Sequence, residues 1–194
     1  PRPGDQSGAS SHRRGPHLDQ LAPDALRAIA SDSTLVVRTG EAFDYGYLQF
    51  NLFVGNTDTP HAVLSDTAVR RALTLATDRR VIARAVYDTF AVAGSGPYVQ
   101  RQFGAPASTA RDGVDTSVAN AMLDAAGWRR GADGRRARGG VPLRLSVLIP
   151  SSATPRITIA EILQEQWRAI GVELQLDLLE PASMGERMQR RDFE

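Results

Sequence analysis

The sequence predicts an α/β fold, and three consecutive stretches predict it. Val141 to Ile149 sets Leu143, Leu145 and Val147 at the two-residue period of a strand. Thr154 to Ile170 carries Ile159, Ile162, Leu163, Gln166 and Ile170 at helical spacing and stops at Gly171. Val172 to Leu179 alternates Val172, Leu174, Leu176 and Leu178 against Glu173, Gln175 and Asp177. A strand, a helix and a strand in about thirty-nine residues make a β-α-β crossover, and that sets the class.

The chain has 194 residues, of which 42% are hydrophobic and 23% charged. That is one ordinary domain, able to bury about two thirds of its unfolded surface without disulfide or metal. There is no cysteine. A disulfide framework, a zinc–thiolate site, an iron–sulfur cluster and a cysteine nucleophile are therefore excluded within these residues. All 23 basic residues are arginine, which removes Schiff-base and phosphate-loop lysines, and the usage reads as codon bias of a G+C-rich genome. A net charge of +1 is not that of a cationic protein. Arg2, Arg13 and Arg14 are few beside the roughly six to ten phosphate contacts of a salt-dependent nucleic-acid binder, so no nucleic acid is expected. No run reaches about eighteen apolar residues. Residues 1–16 are polar, lack the apolar stretch of a signal peptide, and read as a disordered leader. At the other end a last helix reads as cut off at Arg190–Glu194, where it hands over to a further element.

The elements follow in order. Pro23 to Ala30 reads as a short helix with proline in its first turn. Thr34 to Thr39 is a β-branched strand, and Tyr45 to Val54 a longer aromatic one, central in a sheet. Asp66 or Thr67 caps a helix whose Val69, Ala72, Leu73 and Ala76 face inward. Asp78 caps the next, with Val81, Ile82, Ala85 and Val86 as its stripe. From Asp88 to Asp115 glycine, proline and serine break the pattern, a loop long enough to mean function, disorder or a missing packing partner. Helix resumes at Asp115 or Thr116 and closes at Gly127, with Trp128 folding back on Met122 or Leu123. Asp133-Gly134 is a turn. No internal repeat appears.

Catalytic chemistry is poorly supplied. The histidines are His12, His17 and His61, and no zinc-protease, hydrolase-elbow, phosphate-loop or dinucleotide motif occurs. Asp66, Asp78, Asp88 and Asp115 read as helix caps and loop residues. The chain is expected not to be an enzyme, and no cofactor or metal is expected.

One resemblance covers residues 17–194. It is carried by Leu21-Ala22-Pro23-Asp24-Ala25-Leu26, by the strand YGYLQFNL and by Asp66-Thr67-Ala68-Val69-Arg70-Arg71-Ala72-Leu73 with Ala76-Thr77-Asp78-Arg79. Gly96-Pro97, Ala121 to Trp128 and Ile170-Gly171-Val172 continue it. In this order they resemble the extracytoplasmic solute-binding proteins of ABC transporters for peptides and nickel, family 5. Thr77 stands where the family usually has isoleucine, and Gln100 to Asp112 lacks its tyrosine–proline–aspartate run. The resemblance implies the large, C-terminal lobe of a type II, periplasmic-binding-protein-like fold, a mixed sheet with flanking helices, incomplete at both ends.

It also implies reversible capture of a solute, an oligopeptide or dipeptide foremost, between two lobes and delivery to an ABC permease. The setting it implies is extracytoplasmic, periplasmic or anchored on the outer face of the membrane, with the full-length form a monomer. A non-transport sensor or interaction module on the same lobe is the alternative. The ligand-binding candidates are Tyr45, Asn51, Pro97 and Tyr98. Alternation across a sheet would put one of Tyr45 and Tyr47 inward and one in solvent. Asn51 is as apt for a structural hydrogen bond near the hinge, while Trp128 and Trp167 read as packing residues.

Overall fold

The computed structural model describes residues 25, 29, 32–36, 44–94, 96, 99 and 113–194. The chain divides into two compact units, Pro1–Thr39 and Gly40–Glu194. In the first, Ala25 and Ile29 are helical, in keeping with the predicted helix. The strand expected at Thr34–Thr39 is not formed over Thr34–Val36, and Val37–Thr39 lie outside the described residues. Asp32 Oδ1 accepts from the Thr34 N–H at 2.8 Å and from its hydroxyl at 2.7 Å. That side-chain turn outcompetes β propensity.

In the second unit, residues 44–52 take no regular secondary structure. Among the described residues this run joins no ladder, and the expected central strand is corrected to an irregular run. The one bridge nearby pairs Phe53 with Pro60. Helix α1 (Thr67–Ala76) follows, with Asp66 as its cap accepting from the Ala68 N–H at 2.9 Å. All four predicted inward residues are buried. Helix α2 (Arg79–Tyr87) is capped by Asp78, which accepts from the Arg80 and Val81 N–H groups at 3.0 Å each. Its predicted stripe is only partly covered: Ile82 and Val86 are half-buried, whereas Val81 and Ala85 are exposed. Asp88 ends α2 at φ 54°, with its carboxylate 3.2 Å from Arg84.

Helix α3 (Thr116–Ala125) is capped by Asp115 through the Val118 N–H at 2.8 Å. Gly127, at φ 83°, turns the chain, and the Trp128 N–H returns to the Leu123 carbonyl at 2.9 Å. Strands β1 (Arg129–Arg130), β2 (Arg136–Arg138) and β3 (Val141–Pro142) form a small antiparallel sheet around the Asp133-Gly134 turn. The predicted strand 141–149 is therefore two strands. Leu143 marks the division: its N–H reaches the Arg136 carbonyl at 2.7 Å, and its carbonyl accepts from Glu173 at 3.0 Å. Beyond it, β4 (Arg144–Pro150) pairs in parallel with β5 (Glu173–Leu179), from Arg144 opposite Glu173 to Pro150 opposite Leu179. Helix α4 (Thr154–Ala169) links them, so the crossover forms as the spacing predicts. Helix α5 (Pro181–Gln189) follows β5.

One core unites these layers. Val69, Leu73, Leu123, Trp128, Leu145, Leu163, Trp167 and Leu174 are each at most 5% exposed. A buried arginine ties its lower edge. Arg136 donates to the carbonyls of Ile170 and Trp128, to Asn120 Oδ1 at 2.8 Å and to Asp124 Oδ1 at 2.6 Å. A buried guanidinium is tolerable only when so fully partnered.

Candidate functional site

Along residues 44–50 the large side chains fall into two sets. Leu48 and Phe50 turn toward Leu64, Leu145, Val147, Trp167 and Leu174, lining a narrow apolar recess with them. The Phe50 and Trp167 rings lie 6.4 Å apart. In the other set, Tyr45 is 49% and Tyr47 74% exposed, with ring centroids 5.8 Å apart. The expectation that one tyrosine points inward is thus corrected: both are exposed. The pair offers two aromatic surfaces and two hydroxyls to solvent.

Asn51 ends the segment and is 7% exposed. Its Nδ2 donates to the Arg191 carbonyl at 2.9 Å and to the Gly55 carbonyl at 3.4 Å, while Oδ1 accepts from the Phe53 N–H at 3.3 Å. It pins residue 191 to the 51–55 turn. Pro97 and Tyr98 lie outside the described residues. The described start of their loop is held by Arg79, whose guanidinium donates to the Gly94 carbonyl at 2.7 Å.

Sequence reasoning missed an open pocket of about 300 Å³ beside β4, lined by His61, Val63, Arg144, Ser146, Gln175 and Glu194 among others. The first of these is already engaged. His61 Nδ1 accepts from the Val63 and Leu64 N–H groups at 3.2 and 3.0 Å, so its proton sits on Nε2, which faces Glu194 Oε1 at 3.4 Å. The other Glu194 oxygen accepts from the Ser146 N–H on β4. This histidine caps a turn.

Three carboxylates among the described residues are held below the usual range, all by structural partners, and for Asp32 the Thr34 hydroxyl leads, followed by the Thr34 N–H. Burial pushes the Asp66 carboxyl up, but the Ala68 N–H, the Trp128 indole N–H and the Arg138 guanidinium outweigh it and hold it below the usual range. The Arg138 guanidinium sits 4.4 Å above the Trp128 ring and 2.6 Å from Asp66. For Asp124, the Arg136 hydrogen bond leads and lowers the carboxyl. Among the described residues no group of three or more histidines and carboxylates could hold a metal ion. The arrangement is that of a packed scaffold presenting aromatic side chains, and Trp128 and Trp167 pack in its core as expected.

The family model of "Bacterial extracellular solute-binding proteins, family 5 Middle" matches residues 17–194. The chain belongs to this family. Solved structures agree. The chain is similar to NikA from Brucella suis in complex with Fe(III)-EDTA, with a TM-score of 0.70 over 89% of this chain and 34% of that one. At 22% identity that likeness speaks to fold alone. It is 27% identical to the oligopeptide-binding protein AppA from Bacillus subtilis, solved with a nonapeptide, at a TM-score of 0.61 over 66% of this chain and 26% of that one. It is 26% identical to a nickel ABC transporter protein from Bacillus halodurans, at 0.58 over 71% and 28%. No match is found among curated proteins. The family 5 chain described here spans about a third or less of the length of these structures, and its architecture is that of a partial periplasmic-binding-protein-like lobe.

Proposed function

We propose that this chain is part of an extracytoplasmic receptor that captures a small peptide between two lobes and delivers it to an ABC permease. One observation carries the reading: the family match runs unbroken from residue 17 to residue 194, through the capped helix pair and the β-α-β crossover. A peptide is favoured as solute by the likeness to AppA and by the exposed Tyr45–Tyr47 pair. Aromatic rings with hydroxyl ends suit a ligand of variable side chains and regular amides. Tyr45 is proposed as a contact, with Pro97 and Tyr98 from the glycine-rich loop, and Asn51 as the residue that fixes the end of the tyrosine segment.

Native mass spectrometry of the full-length gene product, purified without added ligand, tests this. Co-purified peptides of a few residues, rebinding in calorimetry, are the expected result. A bound nickel chelate or sugar, or no heat with peptides of any length, would overturn it.

A further inference from the structure

Charge in this chain is balanced overall and unbalanced locally. Residues 129–144 hold six of the 23 basic residues but only Asp133 of the 22 acidic ones. Codon bias explains why they are arginine; it does not explain why they cluster.

Folding neutralises only part of the cluster. Arg136 is buried against Asp124, and Arg138 is paired with Asp66. Arg135 and Arg144 share the single carboxylate of Glu173, each at 3.3 Å. Among the described residues Arg130 donates to neutral oxygens, those of Gly134, Asn120 and Ala169, and its charge and that of Arg129 act on the Asp124 carboxyl already bonded to Arg136. Arg129 makes no ion pair among the described residues. Arg129, Arg130, Arg135 and Arg144 are all exposed. They share one end of the fold, because Ala169 closes α4 and Glu173 opens β5 across the same short turn.

The hairpin tip between them, residues 131–134, carries no apolar side chain larger than that of Ala132. Protein interfaces centre on desolvated aromatic or aliphatic anchors, and this tip provides none. A lipid surface asks for less: guanidinium forks that meet phosphates, with no shaped pocket.

We propose that the arginine hairpin is a docking face for an anionic lipid surface, gripping headgroup phosphates through Arg129, Arg135 and Arg144, while Arg130, on the opposite face of β1, holds the hairpin to Asn120 and Ala169. The proposal draws on the extracytoplasmic reading only for the presence of a membrane within reach, and it is independent of the solute. Attraction of this kind is electrostatic and falls with salt.

The test is flotation of the full-length protein, free of any lipid anchor, with vesicles of pure phosphatidylglycerol or pure phosphatidylcholine. Binding to phosphatidylglycerol alone is expected at low ionic strength, weakening steeply as salt is added. Each cation removed lowers it about fivefold, so R129Q/R135Q binds about 25-fold more weakly. That double variant leaves Arg130 and its carbonyl bonds in place, and an unchanged melting temperature confirms the fold. Equal binding by variant and parent, or no binding to either vesicle, would overturn the proposal. So would capture by polyglutamate without vesicle binding, which would assign the face to an acidic protein. Solute affinity measured on the same preparations reports on the capture function separately, so each reading can fail alone.

Discussion

Trp167 donates its indole N–H to Thr77 Oγ1 at 3.0 Å, across a sequence separation of 90 residues. The bond joins α4 to the junction between α1 and α2, and the same hydroxyl donates onward to the Leu73 carbonyl at 2.7 Å. Gln166 reinforces it by accepting from the Asp78 N–H at 3.0 Å. Thr77 is also the position at which the family resemblance of the sequence implies an isoleucine. The departure has a physical sense, since an isoleucine offers a buried indole no acceptor.

Thr77→Val is therefore expected to destabilise the chain by about 1–3 kcal/mol, the cost of an unpaired buried donor. The measurement is urea unfolding of T77V, W167F and the double variant. A pair that acts through the hydrogen bond gives non-additive losses, with T77V nearly harmless once Trp167 is phenylalanine. Additive losses would show that packing alone matters there.

Gly171 and Gly134 make a second contrast. Both have positive φ, 84° and 81°. A Cβ at Gly134 meets nothing within 4 Å, whereas one at Gly171 falls 2.8 Å from Arg136 Cγ and 3.0 Å from the Gly134 carbonyl oxygen. Gly134→Ala should cost about 1–2 kcal/mol from backbone strain alone. Gly171→Ala should cost more, because the buried arginine and its ring of acceptors must also shift. Equal melting points for the two variants would refute this reading of the turn.

Asp66 sets an acid limb. Its carboxyl is held below its ordinary value in the folded chain, so its contribution is complete above the unfolded pKa of about 3.9 and is lost as pH falls through the lower folded value. Asp66→Asn keeps an oxygen for the Ala68 N–H but removes the charge facing Arg138. The variant should melt lower than the parent at neutral pH, and the gap should close in acid. A gap that stays constant across the titration would show that Asp66 acts as a cap alone.

The sequence was most legible where side chains act on their own backbone. Asp66, Asp78 and Asp115 could be read as caps because the carboxylate bonds a donor two or three residues on. Gly127 and Gly171 could be read as helix ends because both must take positive φ. Failures came where the outcome depends on what lies alongside. Tyr45–Val54 has the composition of a strand, but strand pairing is not a property of one segment. Leu143 splits its strand because it bonds the hairpin on one side and β5 on the other, which no local pattern encodes. The two distant partners of Asp66, Trp128 and Arg138, 62 and 72 residues away, were equally out of sight.

Tyr45 and Asn51 belong to one segment, and their surroundings divide their roles. Asn51 has both polar atoms engaged inside the chain and little surface to offer. Tyr45 has half its surface open and the Tyr47 ring 5.8 Å from its own. Asn51→Ala should therefore lower stability by about 1–3 kcal/mol by leaving the Arg191 carbonyl and the Phe53 N–H unanswered. Tyr45→Ala should leave the melting temperature unchanged and weaken peptide capture by the full-length protein about tenfold, the loss typical of an aromatic contact. Thermal melts and calorimetry on both variants separate the cases. Should Asn51→Ala melt normally yet lose the peptide, the asparagine contacts the ligand; should Tyr45→Ala bind as the parent does, the tyrosine face is not the site.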